Sequence, residues 1–210
     1  LRPGMTDPRL PLLRQRLTEA DLLLVIGARL GEMTTNGYEN LVPPELRQKL
    51  IHIHPDPDEI GRVYGPDIGF AATAPEAAAA LAPLDLGRQN IWGDWAGGLR
   101  QEWLKDTESP SDGGWALDMG QAFCALRDAL PEDVIVTLDA GNHPGWAQRF
   151  LRFGRPGREI GSTCGAMGYS VPAAVAASLT HPERLTLAMV GDGGFMMSGQ
   201  ELATATQYGA

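Results

Sequence analysis

Three glycine-rich stretches in the second half of the sequence, "DAGNHPG", "GSTCGAMGYSVP" and "GDGGF", carry side chains suited to chemistry. In the last, Asp192 stands alone among Gly191, Gly193 and Gly194. Glycines permit positive φ and close backbone approach. One carboxylate in so crowded a turn suits a hard divalent cation such as Mg2+, which takes few protein oxygens and leaves other positions to phosphate. A helix beginning there aims N–H groups and a positive dipole end at an anion. A diphosphate bridged by Mg2+ satisfies both halves, although an isolated Gly-Asp-Gly-Gly is more often a plain tight turn. In the second stretch, Gly161, Gly165 and Gly168 suit either a backbone cradle for a ligand or a turn that packs a helix onto a sheet. In the first, Asn142 and His143 follow Gly141 at a strand end. They can donate to phosphate oxygens, or form an ordinary surface turn.

These stretches need a scaffold, and the hydrophobic pattern supplies an α/β one. Leu22–Ile26 is an apolar run without alternation, closed by Gly27, which reads as a parallel strand buried on both faces. Leu50–His54 reads as a second strand. "APEAAAALAPL" reads as a short helix stopped by Pro83. Residues 1–84 therefore read as a small doubly wound domain. Residues 85–114 mix Trp92, Trp95 and Trp103 with glycines and end in Ser-Pro-Ser-Asp-Gly-Gly, a connector with a helix in its middle. From residue 115 the alternation resumes. A helix stops at Pro131, a strand covers Val134–Leu138, a helix holds Pro172 in its first turn, and a strand covers Leu185–Val190. Ser198 stands three residues before Glu201, the spacing of a capping box. The fold class is thus α/β, two doubly wound parallel-sheet domains, the second expected to be incomplete with an exposed sheet edge. That incompleteness leads to a further expectation, that Gly191–Ala210 is mobile or held by a neighbouring chain.

Composition narrows the function. The net charge of −9 argues against nucleic acid or an anionic membrane as partner. No apolar run approaches a membrane span, and "LRPGMTDPRLPLL" lacks the pattern of a signal peptide. The first residue is not Met, so the sequence is expected to begin inside a longer protein. Cys124 and Cys164 have no CxxC spacing and point to a reducing cytoplasm, with a disulfide between them left open. His52 and His54 share a strand face without a third ligand nearby, which favours a polar strand end over a metal pair. Arg149, Arg152, Arg155 and Arg158 recur every three residues, but Gly154 and Pro156 break a helix there, so a solvated loop is expected. "VIGARLG" is not the dinucleotide fingerprint.

Taken in order, "LDAGNHPGWAQRF", "GSTCGAMGYSVPAAVAA" and "AMVGDGGFMMSGQELATATQYG" resemble the diphosphate-binding domain of thiamine diphosphate enzymes, above all acetolactate synthase and its relatives. "ADLLLVIGARLGE" and "LIHIHPDPDEIGR" resemble the central domain that precedes it in that family. The resemblance implies Asp192 as a Mg2+ ligand, with an asparagine beyond Ala210 completing the shell. It implies backbone approach of Gly193 and Gly194 to the diphosphate, and contact from Gly141, Asn142 and His143, with asparagine standing where the family carries glutamine. Gly165 and Met167 match a Gly-x-Met segment whose apolar side chain wedges between the two cofactor rings and enforces a bent shape. Gly194 stands where many relatives carry serine, a change expected to be mild. The catalytic glutamate belongs to an N-terminal domain supplied by a partner subunit, so the chain reads as a central domain plus a truncated cofactor domain, inactive alone. The family acts on 2-oxo acids by decarboxylation, carboligation or both, as dimers or tetramers. FAD accompanies some relatives, but "GARLGEMTTNGY" departs from the charged pattern of those members, which weighs against FAD here. Two other readings compete, a nucleotide-binding Rossmann-like module and a non-catalytic relative of the family.

Overall fold

The computed structural model describes residues 11–85, 87, 92–108, 117–154 and 156–210. The opening stretch 1–10, the polar end of the connector at 109–114, and Arg155 lie outside the described residues. The chain divides into two compact units, Pro3–Leu104 and Lys105–Ala210.

In the first unit α1 (Pro11–Glu19) leads to β1 (Leu22–Ile26), a single turn α2 (Glu32–Thr35), β2 (Lys49–His54), β3 (Ile68–Ala71), α3 (Ala74–Leu81) and α4 (Gly93–Glu108), whose last residues belong to the second unit. The three strands are parallel in the order β1-β2-β3, with Leu22 opposite Lys49 and Ile51 opposite Ile68. Leu30, Leu41, Leu50 and Tyr64 form the core, and the Tyr64 hydroxyl donates to the Leu41 carbonyl at 2.7 Å. The expectation that β1 is buried on both faces is corrected, since Leu22 and Leu24 are 47% and 48% exposed. β1 is an edge strand, and among the described residues only one of its faces is covered. Ile68 and Phe70 on the other edge are likewise exposed, so the central β2 alone is largely buried. α3 begins with a capping box that sequence reading overlooked: Thr73 and Glu76 exchange side-chain and backbone hydrogen bonds. His52 and His54 sit at a polar strand end, as expected. His52 Nε2 donates to the Ala28 carbonyl at 3.0 Å, and His54 Nδ1 lies 3.1 Å from the Asp56 N–H. No cluster of three metal-ligating side chains occurs among the described residues.

The second unit runs α5 (Met119–Ala129), β4 (Ile135–Leu138), α6 (His143–Phe150), β5 (Glu159–Gly161), α7 (Ser170–Thr180), β6 (Thr186–Met189), α8 (Asp192–Ser198) and α9 (Glu201–Tyr208). Its parallel sheet has the order β5-β4-β6. The chain steps from β4 to β5 on one side, then crosses back to β6 on the other. The order therefore reverses at β4, the place where open α/β sheets bind ligands beyond their carboxyl ends. β4 is buried throughout, and its period of two sorts its side chains. Val134, Val136 and Leu138 join Phe123, Ala147 and Phe150 in the core under α5 and α6. Thr137 turns the other way, and its hydroxyl meets both the carbonyl and the hydroxyl of Ser170 at 2.9 Å.

Two expectations fail in this unit. The Ser198–Glu201 capping box does not form: Ser198 ends α8, Gln200 is the N-cap of α9 without a side-chain bond, and the Ser198 hydroxyl is buried without a partner. The turn between the two helices is too short to free Ser198 as a cap. The arginines are not a solvated loop either. Arg149 lies in α6, buried and paired with Asp106. Arg158 is buried and donates to the carbonyls of Val134, Arg152 and Pro131. Arg152 keeps an exposed pair with Glu108, as a solvated loop would. Both cysteines are free, so no disulfide joins them. β6 is a sheet edge, and α9 lies against α7 within the same chain. Among the described residues no helix is long and apolar enough to cross a membrane.

Burial separates the strands of the first unit in stability. Leu50→Ala, fully buried on β2, is expected to destabilise that unit by about 3 kcal/mol. Leu22→Ala, half exposed on the edge, is expected to cost about 1 kcal/mol or less. Urea unfolding followed by amide exchange in β1–β3 reads both, and equal losses would contradict the edge assignment.

Candidate functional site at the carboxyl ends of the second sheet

The three glycine-rich stretches meet where β4, β5 and β6 end. The link is made by Asp139, the first residue of the stretch "DAGNHPG". It follows Thr137 by two residues, so strand alternation turns it toward α7 rather than into the Phe123 core. Its backbone N–H donates to the Met189 carbonyl at 3.0 Å, extending the β4–β6 ladder by one residue. Its carboxylate is buried at 4% exposure. Oδ2 accepts the Gly168 N–H at 3.0 Å and Oδ1 accepts the Ala140 N–H at 2.7 Å. The signal available beforehand was a carboxylate immediately after an apolar strand, a position too common to single out without knowing its neighbours.

Gly141 adopts φ +146°, and a Cβ there would approach the His143 ring at 3.1 Å. Asn142 is exposed at the start of α6 and makes no capping bond. His143 Nε2 lies 3.1 Å from the Met189 carbonyl. A carbonyl only accepts, so Nε2 carries the proton and the neutral ring keeps Nδ1 as an acceptor. His143 thus ties the first loop to the end of β6.

In the second stretch Gly165 and Gly168 take φ +68° and +82°, as a cradle or a tight turn requires. Met167 between them is 49% exposed. Its Cε reaches 3.1 Å from where a Gly193 Cβ would stand, so the thioether leans over the third loop. In that third loop the expected geometry is corrected. Gly191, Gly193 and Gly194 all have negative φ. Gly191 is the N-cap, and Asp192 opens α8 directly. These glycines serve close approach, not a left-handed turn. A Cβ on Gly194 would stand 2.5 Å from Asp139 Oδ2, and one on Gly168 3.0 Å from Met197 Cβ. Serine at Gly194 is therefore not a mild change here, because the buried Asp139 carboxylate occupies that space. Asp192 is exposed, and its Oδ1 accepts the Gly193 N–H at 2.8 Å. Among the described residues it is the one carboxylate of the loop facing solvent.

Cys164 adds a reactive group on the second stretch. The Ser162 hydroxyl lies 3.0 Å from its sulfur and, with the Ala166 N–H, holds its thiol below the usual range. Burial pushes the Cys124 thiol up.

Comparison with known proteins fits this geometry. Residues 139–210 match the family model of the C-terminal TPP binding domain of thiamine pyrophosphate enzymes. Residues 4–81 match the model of the central domain of the same enzymes. The acetolactate synthase large subunit of Parasynechococcus marenigrum is 32% identical over 197 residues, 92% of this chain and 31% of that protein. Acetolactate synthase isozyme 1 large subunit of Escherichia coli is 32% identical over 193 residues, 91% of this chain and 33% of its own length. The probable acetolactate synthase large subunit of Methanocaldococcus jannaschii is 29% identical over 201 residues, 91% of this chain and 33% of its own length. The chain spans about a third of the length of these relatives.

Two outcomes follow from the packing and the thiols. Gly194→Ala is expected to destabilise the second unit by about 1–3 kcal/mol through overpacking against Asp139. Gly145→Ala, inside α6 with open space around its Cβ, is expected to stabilise by about 0.5–1 kcal/mol. Thermal unfolding of both variants checks the contrast. Alkylation with iodoacetamide is expected to modify Cys164 at lower pH than Cys124, since only the thiolate attacks. Ser162→Ala should move the Cys164 onset upward, and an unchanged profile would remove the hydroxyl from the account.

Proposed function

The chain belongs to the thiamine pyrophosphate enzyme family, and on that premise we propose that it is part of a thiamine diphosphate- and Mg2+-dependent enzyme acting on a 2-oxo acid. The observation that carries this reading is the meeting of Gly141–His143, Met167 and Asp192–Gly194 at the reversal of strand order, with Met167 leaning over Gly193.

These residues suit the cofactor by their own geometry. Asp192 is an exposed carboxylate on the first residue of α8, able to give one oxygen to Mg2+. Its Oδ1 accepts the N–H of Gly193, and the second carboxylate oxygen would be the one to hold the ion. α8 is only seven residues long, so its dipole adds little and the ion and the backbone carry the charge. Asn142 and Gly141 lie at the rim of the same loops and supply further polar contact. Met167 offers an apolar surface half open to solvent, suited to pressing a two-ring ligand into a bent shape. Thiamine diphosphate, when bound, would supply a carbon nucleophile and an electron sink for decarboxylation of a 2-oxo acid. The loops would orient it, and Asp192 would hold its metal ion.

Decarboxylation to an aldehyde and carboligation to a second carbonyl are both open to this arrangement, and the acetolactate synthase relatives favour carboligation. We place the full enzyme in the cytoplasm as a homo-oligomer. Turnover in this reading needs the family's glutamate, which belongs to another domain. The reading carries no FAD: the cavity of about 250 Å³ in the first unit is lined by Arg29, Tyr38, His52, Glu59 and Arg62, and both arginines pair with Glu59.

Isothermal titration with thiamine diphosphate tests the reading. Mg2+ is expected to be required for tight binding, and Asp192→Ala to weaken binding about 100-fold and abolish the Mg2+ dependence. Binding that is indifferent to Mg2+ in the unaltered chain would overturn the proposed role of Asp192.

A further inference from the structure

Asp139 is a buried carboxylate that the proposed chemistry does not use. It lies below the cofactor loops, at 4% exposure, where burial of a charge persists only if its lone pairs are taken up. One oxygen accepts from Ala140, its own chain neighbour. The other reaches across 29 positions of sequence to the Gly168 N–H. That N–H belongs to the peptide unit whose carbonyl is Met167's, so the bond orients the plane immediately after the wedge residue. Gly168 holds φ +82°, a conformation that leaves the plane free to turn if the bond is lost. On its far side the same carboxylate fills the space that a side chain at position 194 would take, 2.5 Å from that Cβ position. Gly168 in turn packs on α8, its Cβ position 3.0 Å from Met197 and 3.7 Å from the Gly194 carbonyl.

We infer that Asp139 is a positioning residue that sets how Met167 is presented over Gly193, holding the second and third loops in one register from beneath. The inference rests on the cofactor reading for its functional meaning, though not for its geometry. Asparagine at 139 keeps the size but not the chemistry. It offers one oxygen, and its amide then turns N–H toward the Ala140 N–H or the Gly168 N–H. The bond to Gly168 and the bond to Ala140 cannot both survive, and Met167 loses its fixed backbone.

The test uses the whole 210-residue chain with methyl-labelled methionine, seven signals in all. Asp139→Asn is compared with Val136→Ala, which opens a cavity on the opposite face of β4 and touches neither loop. In Asp139→Asn the Met167 methyl signal is expected to move to the position of a solvent-averaged methionine, and Gly168 amide exchange to rise about ten-fold. Affinity for Mg2+ and thiamine diphosphate is expected to fall about ten-fold, the worth of one hydrogen bond to a charged group. Val136→Ala should lower Tm while leaving the Met167 signal and the affinity in place. An unmoved Met167 signal in Asp139→Asn overturns the inference, as does an equal shift in Val136→Ala. If Asp139→Asn does not fold, Gly194→Ala reads the same coupling from the α8 side, and a Met167 signal unchanged there is equally decisive against it. A Met167 signal that responds in a chain with no affinity for thiamine diphosphate keeps the positioning role and discards the cofactor reading.

Discussion

A carboxylate taken out of water must find donors, and Asp139 finds them in two loops at once. Much of the second unit's upper end is arranged around that requirement. The side chain points to α7 because alternation along β4 puts Thr137 and Asp139 on one face. Thr137 meets the first residue of α7, and Asp139 meets the loop just before it. Strand and helix are thus joined at two successive levels. Glycine at 194 follows from the same constraint, since a Cβ there would enter the space of the carboxylate. The third loop approaches its neighbours closely for that reason, while its φ values stay ordinary.

The loops above this buried layer have the opposite character. Met167, Met196 and Phe195 are substantially exposed, and Asp192 faces solvent. Phe195 faces a pocket shared with Val171 of α7 and Leu202 of α9, so these exposed side chains are not shown by contact to form one surface with Asp192. His143 adds rigidity from a third direction by holding the Met189 carbonyl. The site combines a fixed base, made of buried hydrogen bonds, with an open upper surface.

The first unit shows how far a run of apolar residues can mislead. Leu22–Ile26 has no alternation, yet Leu22 and Leu24 on one face are about half exposed, because among the described residues that face is left uncovered. The arginines at 149 and 158 mislead in the other direction. They look like surface charge in sequence, but one is neutralised by Asp106 and the other caps three carbonyls. In each case the missing information is the identity of a partner distant in sequence.

Element type and order were legible from the sequence because hydrophobic period and Gly/Pro punctuation are local properties. The strands read at Leu22–Ile26, Leu50–His54, Val134–Leu138 and Leu185–Val190 and the helices ending before Pro83 and Pro131 follow from them, whereas α1, β3 and α6 do not stand out in the sequence. The ordered set of Gly141–His143, Gly165–Met167 and Asp192–Gly194 could be singled out only through its resemblance to a family, since each loop alone reads equally as a turn. Only the tertiary structure decided which strand sits at an edge, that Ser198 is a buried helix end and not a cap, and that His143 spends its Nε2 proton on Met189. Above all it decided the role of Asp139. A carboxylate after a strand has no meaning until the fold places a glycine N–H from one loop and an empty Cβ position from another around it, and both are set by contacts that no local pattern encodes.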